Sequence, residues 1–372
     1  MLMDLYYDIE SYLIGNTPSE FAELSIKLET ILDNNPNLVC FESYLSVIQS
    51  FIHSLEGDHV LSFLTKQRAL EQARKANDVL SVISITGSLA YMLKDHNAMY
   101  ALEYAEEFYK LGVLSGLPRK IEAARHYMGL IHAVRGVYDM AVECQVAAAE
   151  VYNNDKGPPS SRCAIVSIYY SDLEDARQAL YWANESFRIT GGKGDVQMHY
   201  AMLRALHLLH RIDAADYHLN ELHKLSLESA ADFDQALFLE GRGIHELKSG
   251  DPQAAIASLE QALAVVEPLN LHIGINRCLV ALTQVEIQLA DESSKDDSSG
   301  PWMVRLESHA QKRDYPGIQM QAALLRAEFL VKQGRKSEAR EVLQDALEIL
   351  DSPTVKTLRT RIQNMLGDLI VA

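Results

Sequence analysis

The sequence is short of the residues that cross-link, break or anchor a chain. Its four cysteines, Cys40, Cys144, Cys163 and Cys278, are scattered without paired spacing. That excludes a disulfide framework and a Cys-x-x-Cys zinc site, and the thiols read as reduced and buried. Ten prolines in 372 residues are few, as in a helix-dominated protein. No apolar run approaches 18 residues, and the N-terminus MLMDLYYDIE carries acid where a secretory leader needs base. Together these features predict a cytoplasmic protein that does not enter a membrane. Base is scarce too: 34 Lys and Arg against 51 Asp and Glu give a net charge of −17. Residues 301–372 hold 11 basic and 9 acidic side chains, so residues 1–300 carry −19. Such a body repels a phosphate backbone, excludes nucleic acid as the expected ligand and favours basic partners.

The usual catalytic patterns are also missing. There is no Gly-x-Ser-x-Gly elbow and no cysteine with a local nucleophile signature. The Gly191-Gly192-Lys193-Gly194-Asp195 run lacks the spacing of a phosphate loop and follows a helical pattern, so it reads as a linker. No catalytic residue and no cofactor is expected. Histidine is the exception, because His199, His207, His210, His218 and His223 crowd into 25 residues. His207 and His210 are three apart on a helix and could share a metal completed by Glu221, which keeps a metal-dependent enzyme as an alternative. Against it, no His-Glu-x-x-His occurs and His218 and His223 are five apart. Histidines dispersed over a surface or groove are the preferred reading.

What the chain does contain is a repeat. In LEGRGIHELKSGDPQAAIASLEQALAVVEP (Leu239–Pro268), Gly243 lets one helix pass close to another and Gly250 ends the first helix. Asp251 caps the second helix and Pro252 takes its first position. Ala255, Leu259 and Ala262 then face the first helix at helical spacing. A turn residue, an alanine five positions on and a small or apolar residue twelve on recur after Gly57, His96, Gly136, Ser171, His210, Gly250 and Gly334, with one divergent unit near Asp291. The steps are close to 40, apart from one of 35 ending at Ser171 and one of 84 across the divergent unit. Such a period marks an α-solenoid of stacked helix pairs.

The series Gly243, Gly250, Ala255, Leu259, Ala262 and Pro268 resembles a tetratricopeptide repeat, with a period longer than the usual 34, as in bacterial and archaeal sensor and regulator solenoids. The resemblance implies a protein- or peptide-binding superhelix. The expected fold is all-α: a right-handed α-solenoid of about nine antiparallel helix pairs with a C-terminal capping helix, in a single domain over residues 1–372. Residues 1–37 form an N-terminal cap pair and residues 38–350 the repeats. Residues 291–301 read as a mobile loop and residues 351–372 as the cap.

In such a repeat the first helix of each pair lines the concave side. Residues 13, 10, 6 and 3 before each turn share one face. Most of these stripes are apolar, but Gln197, Tyr200, Arg204 and His207 are all polar or amphipathic. With Tyr44, His126 and Glu240 from neighbouring stripes they form the expected groove contact for a protein or peptide. Tyr200 and Arg204 are expected to be exposed, with Arg204 as a local positive anchor for a carboxylate. The leading functional reading is a non-enzymatic adaptor or scaffold, and its alternative is a sensing solenoid that acts on a separate effector. The oligomeric state is left undecided.

Overall fold

The computed structural model describes residues 18–34, 42–150, 159–290, 300–349 and 355–371. Of these, 85% are helical, in 18 helices, and no strand occurs among them. Residues 1–17 and 35–37 of the expected N-terminal cap pair, residues 291–299 of the expected mobile loop and residues 351–354 and 372 of the expected C-terminal cap lie outside the described residues.

The helices fall into two compact units. The first comprises residues 1–93 and 99–124 and contains α1 (Pro18–Asn34), α2 (Glu42–Leu55), α3 (His59–Lys75), α4 (Val79–Leu93) and most of α5 (Ala98–Leu114). Asp58 and Asp78 each accept the N–H three residues on, at 2.9 and 3.1 Å, and so cap α3 and α4. Ala69, Ala73 and Leu89 are buried between these helices.

The second unit comprises residues 94–98 and 125–372. After α6 (Pro118–Val134), which runs in from the first unit, come α7 (Tyr138–Glu150), α8 (Ser160–Asp172), α9 (Ala176–Ile189), α10 (Val196–Leu208) and α11 (Ile212–Glu228). Then follow α12 (Asp232–Lys248), α13 (Pro252–Val266), α14 (His272–Leu289), α15 (Pro301–Arg313), α16 (Pro316–Lys332), α17 (Lys336–Ile349) and α18 (Lys356–Val371). Each helix packs on the next from α7 onward. In addition α8, α10, α12, α14, α16 and α18 pack side by side in succession. The first helices thus form an inner layer and the second helices an outer one.

The repeat positions explain this packing. Gly250 adopts φ +88°, Asp251 accepts the N–H of Ala254 at 3.0 Å, and a Cβ on Gly243 would meet Leu259 Cγ at 2.6 Å. Ala255, Leu259 and Ala262 are fully buried. One turn was placed wrongly by spacing alone. The inner helix does not end at Ser171 but runs to Asp172, and the left-handed residue is Glu174 (φ +61°). Asp175 then caps α9 by accepting the N–H of Gln178 at 3.0 Å. Counted from Glu174, Ala179 and Ser186 take the small positions, and both are fully buried. The step from Gly136 lengthens from 35 to 38, and the step to His210 shortens from 39 to 36.

The inner layer of the second unit closes on itself. The turn between α6 and α7 reaches across to the late helices. Asn276 Nδ2 donates to Val134 O at 3.0 Å, and Gly317 N donates to Arg135 O at 3.1 Å. Thr357 donates from its N and its Oγ1 to Asp139 at 3.1 and 2.5 Å. Val137, 1% exposed, packs with Met320, Leu324 and Leu358. Gly136 and Gly317 touch backbone to backbone, and neither has room for a Cβ.

Candidate functional site

Closure of the inner layer leaves a cavity of about 390 Å³ in the second unit. Its wall is built from the inner faces of α8, α10, α12, α14 and α16, with Tyr138 contributed by the closing turn. A buried charge network occupies that wall. Asp172, near the end of α8, takes Arg204 Nη2 at 2.7 Å on one oxygen and Arg277 Nη2 at 2.6 Å on the other. Arg277 Nε also lies 3.2 Å from both oxygens, so the pair is bidentate. Glu240 lies 4.0 Å from Arg204 and accepts the hydroxyl of fully buried Tyr200. Burial raises the Glu240 carboxyl above its ordinary range, against the pull of Arg277 and Arg204. Burial also pushes the Tyr200 phenol well up, so it stays protonated and donates. Burial is the largest single influence on Arg204 and Arg277 and pulls both down, but Asp172, Tyr200 and Glu240 together overcome it, and both guanidiniums are held above their ordinary range.

Among the sequence candidates, this geometry brings Arg204, His207 and Glu240 to the cavity wall, with Tyr200 bonded behind them. It does not expose them as a stripe. Tyr200 is fully buried and the Arg204 side chain is 13% exposed, because adjacent inner helices pack directly against each other. The expectation of an exposed Tyr200–Arg204 pair is therefore corrected. Gln197 is half-buried and absent from the wall, while His126 is buried with its Nδ1 3.0 Å from Gln145 Oε1. Tyr44 lies in the first unit, half-buried, its hydroxyl donating to Asp78 at 3.3 Å.

The crowded histidines are paired rather than converged. His199 and His218 meet through their Nδ1 atoms at 3.1 Å, and His207 Nε2 faces His245 Nδ1 at 3.1 Å. His245 Nε2 in turn lies 3.0 Å from Asp216. His223 stacks on Phe238, and His210 is a turn residue at φ +54°. Among the described residues no three His, Cys, Asp or Glu side chains are grouped to hold a metal. Burial lowers the His218 imidazole to about 4 and that of His207 to about 3.

Sequence reasoning missed Asp172, Arg277 and Asn276. Asp172 lies two residues before Glu174, outside the stripe spacing. Arg277 belongs to the divergent unit, for which the sequence offers no turn residue at the repeat spacing, so no stripe could be counted there. Tyr138 was invisible because its role depends on ring closure.

No family model matches the chain, and no curated protein matches it. Solved structures do. A Rap protein complexed with competence and sporulation factor aligns at TM-score 0.52 with 14% identity, over 89% of this chain and 99% of that one. A signal-transduction ATPase with a tetratricopeptide-repeat sensor, from Pyrococcus horikoshii, aligns at TM-score 0.38 with 13% identity, over 89% of this chain and 52% of that one. The likeness to the first is one of fold: an all-α helical-repeat array of the tetratricopeptide kind. Among the described residues no helix is long and apolar enough to cross a membrane.

Proposed function

From a tetratricopeptide-like array with a closed inner layer, we propose that this protein is a non-enzymatic binding scaffold whose ligand is a peptide or a protein segment held in the inner cavity of the second unit. The observation that carries this reading is the cavity wall itself. Five inner helices each contribute side chains, and the polar groups converge on one hollow of about 390 Å³. Buried polar groups are costly unless satisfied, and here they are concentrated where a ligand can complete them. The Rap protein of similar fold was crystallised with a factor bound, which agrees with a ligand-holding role.

A second reading, a sensing solenoid acting on a separate effector, is favoured by the apolar surface of the first unit. Val60 and Leu64 on α3 and Val79 and Leu80 on α4 are more than half exposed.

Panning a random heptapeptide display library on the full-length protein tests the first reading. Selected peptides should lose binding to an Ile244→Trp, Gln284→Trp variant, whose indoles fill the hollow. Equal binding to that variant, or no selected peptides at all, would reject the cavity as the site.

A further inference from the structure

The network accounts for most of the hydrogen-bonding capacity in the cavity wall, but not for all of it. Arg277 is 9% exposed, and Asp172 occupies its Nε and Nη2. Among the described residues its Nη1 has no hydrogen-bond partner, although a guanidinium carries five N–H donors. Lys248, at the end of α12, is exposed on the same wall and forms no ion pair among the described residues. It is near enough to His207 to help depress that imidazole. Gln284 on α14 and Gln321 on α16 also line the cavity, and among the described residues neither amide has a hydrogen-bond partner.

The acids of the wall are already engaged. Asp172 is shared by two arginines, Glu240 accepts from Tyr200 with Arg204 4.0 Å away, and Glu174 pairs with Arg361 at 3.0 Å. The uncommitted groups are therefore one guanidinium edge, one ammonium, two glutamine amides, the buried Asn276 Oδ1 and the buried His207 Nδ1. The lining holds three acids and three bases, but the charged groups left uncommitted, Arg277 Nη1 and Lys248, are both cationic. Burial also favours the neutral form of Glu240, which leaves the two arginines with less opposing charge.

We infer that the cavity recognises an acidic peptide, with Arg277 Nη1 and Lys248 taking a carboxylate and Gln284 and Gln321 bonding its backbone. The chemistry follows from what is free. A carboxylate satisfies guanidinium and ammonium donors together. A side-chain amide offers a donor and an acceptor, the complement of a peptide unit. A basic ligand would meet no free acid on this wall. The inference rests on the cavity being a peptide site.

The test uses peptides selected from the library and isothermal titration with the full-length protein. Selected sequences should be enriched in Asp and Glu, and replacing the key Asp by Asn in the peptide should weaken binding at least tenfold. Lys248→Met, an exposed change, should weaken the acidic peptide several-fold. Arg277→Lys keeps a charge for Asp172 but deletes the Nη1 donor, and should weaken it further. Circular dichroism separates lost binding from lost folding in the Arg277 variant, and Lys248→Met decides the matter if that variant unfolds. Neutral or basic selected peptides that still compete for the cavity would overturn the acidic assignment and leave the cavity reading intact. Peptides that bind the indole-filled variant like the wild type would overturn the cavity reading itself.

Discussion

Replacing Gly317 by alanine attacks the closure that creates the cavity. A Cβ at this position would lie 2.0 Å from Gly136 O and 2.2 Å from Gly136 C, far inside van der Waals contact, and backbone atoms, unlike a flexible side chain, have no rotamer in which to retreat. The two segments must separate. Four hydrogen bonds cross the closure: Asn276 to Val134, Gly317 to Arg135, and two from Thr357 to Asp139. At about 1 kcal/mol net for each, their complete loss would cost about 4 kcal/mol. Exposing Val137, now 1% exposed, adds about 1.5 kcal/mol or more. Local relaxation should save part of this, so the expected loss is about 3–5 kcal/mol. Trp182 and Trp302, the two tryptophans of the chain, both lie in the second unit, so urea unfolding followed by tryptophan fluorescence reads that unit. Gly367→Ala in α18 is the control, because a Cβ there meets nothing within 4 Å. It should be neutral or should stabilise by up to about 1 kcal/mol through helix propensity. If Gly317→Ala cost under about 1 kcal/mol, the inner layer would not be closed in the way described.

Three further outcomes follow from the buried groups. Asp172→Asn leaves Arg204 and Arg277 without their shared counter-charge and should destabilise the second unit by about 3–5 kcal/mol in the same urea assay; an unchanged midpoint would dissolve the network. Tyr200→Phe removes the donor to Glu240 and should cost about 1–3 kcal/mol by urea unfolding, where the exposed stripe expected from sequence would give almost nothing. Acid should weaken the fold: burial lowers His207 to about 3 and His126, His132, His218, His272 and His309 to about 4. The unfolded chain then binds protons that the folded chain refuses, so the loss begins as pH falls through about 6.5 and continues toward 4. Urea midpoints at pH 7, 6 and 5 should decline in order, and a midpoint that rises on acidification would contradict the burial of these imidazoles.

The helical array was legible in the sequence because its signals are local. Gly250 with Asp251, and Gly243 against Leu259, sit within one helix pair, and the short range of those contacts fixes their spacing. The turn at Glu174 was misread because a glutamate gives no warning of a left-handed backbone, whereas Asp175 beside it supplied the cap that could have located the turn. The candidate site was legible only in part. Arg204, His207 and Glu240 stood out as polar residues on an apolar stripe. Their burial did not, since it depends on α10 packing against α12 and on a closure between residues 134–139 and 276–357 that no periodicity encodes. Tyr44 and His126 matched the stripe pattern for the same formal reason as Arg204, yet the structure gives them partners away from the cavity.

The central claim is that the closed inner layer of the second unit holds a peptide. Its most direct test is a crystal structure of the full-length protein with the tightest peptide selected from the library. The peptide should lie among the inner helices, with a carboxylate against Arg277 and its backbone against Gln284 and Gln321. A peptide lying instead on the outer helices, or on the apolar surface of the first unit with the cavity empty, would contradict the claim.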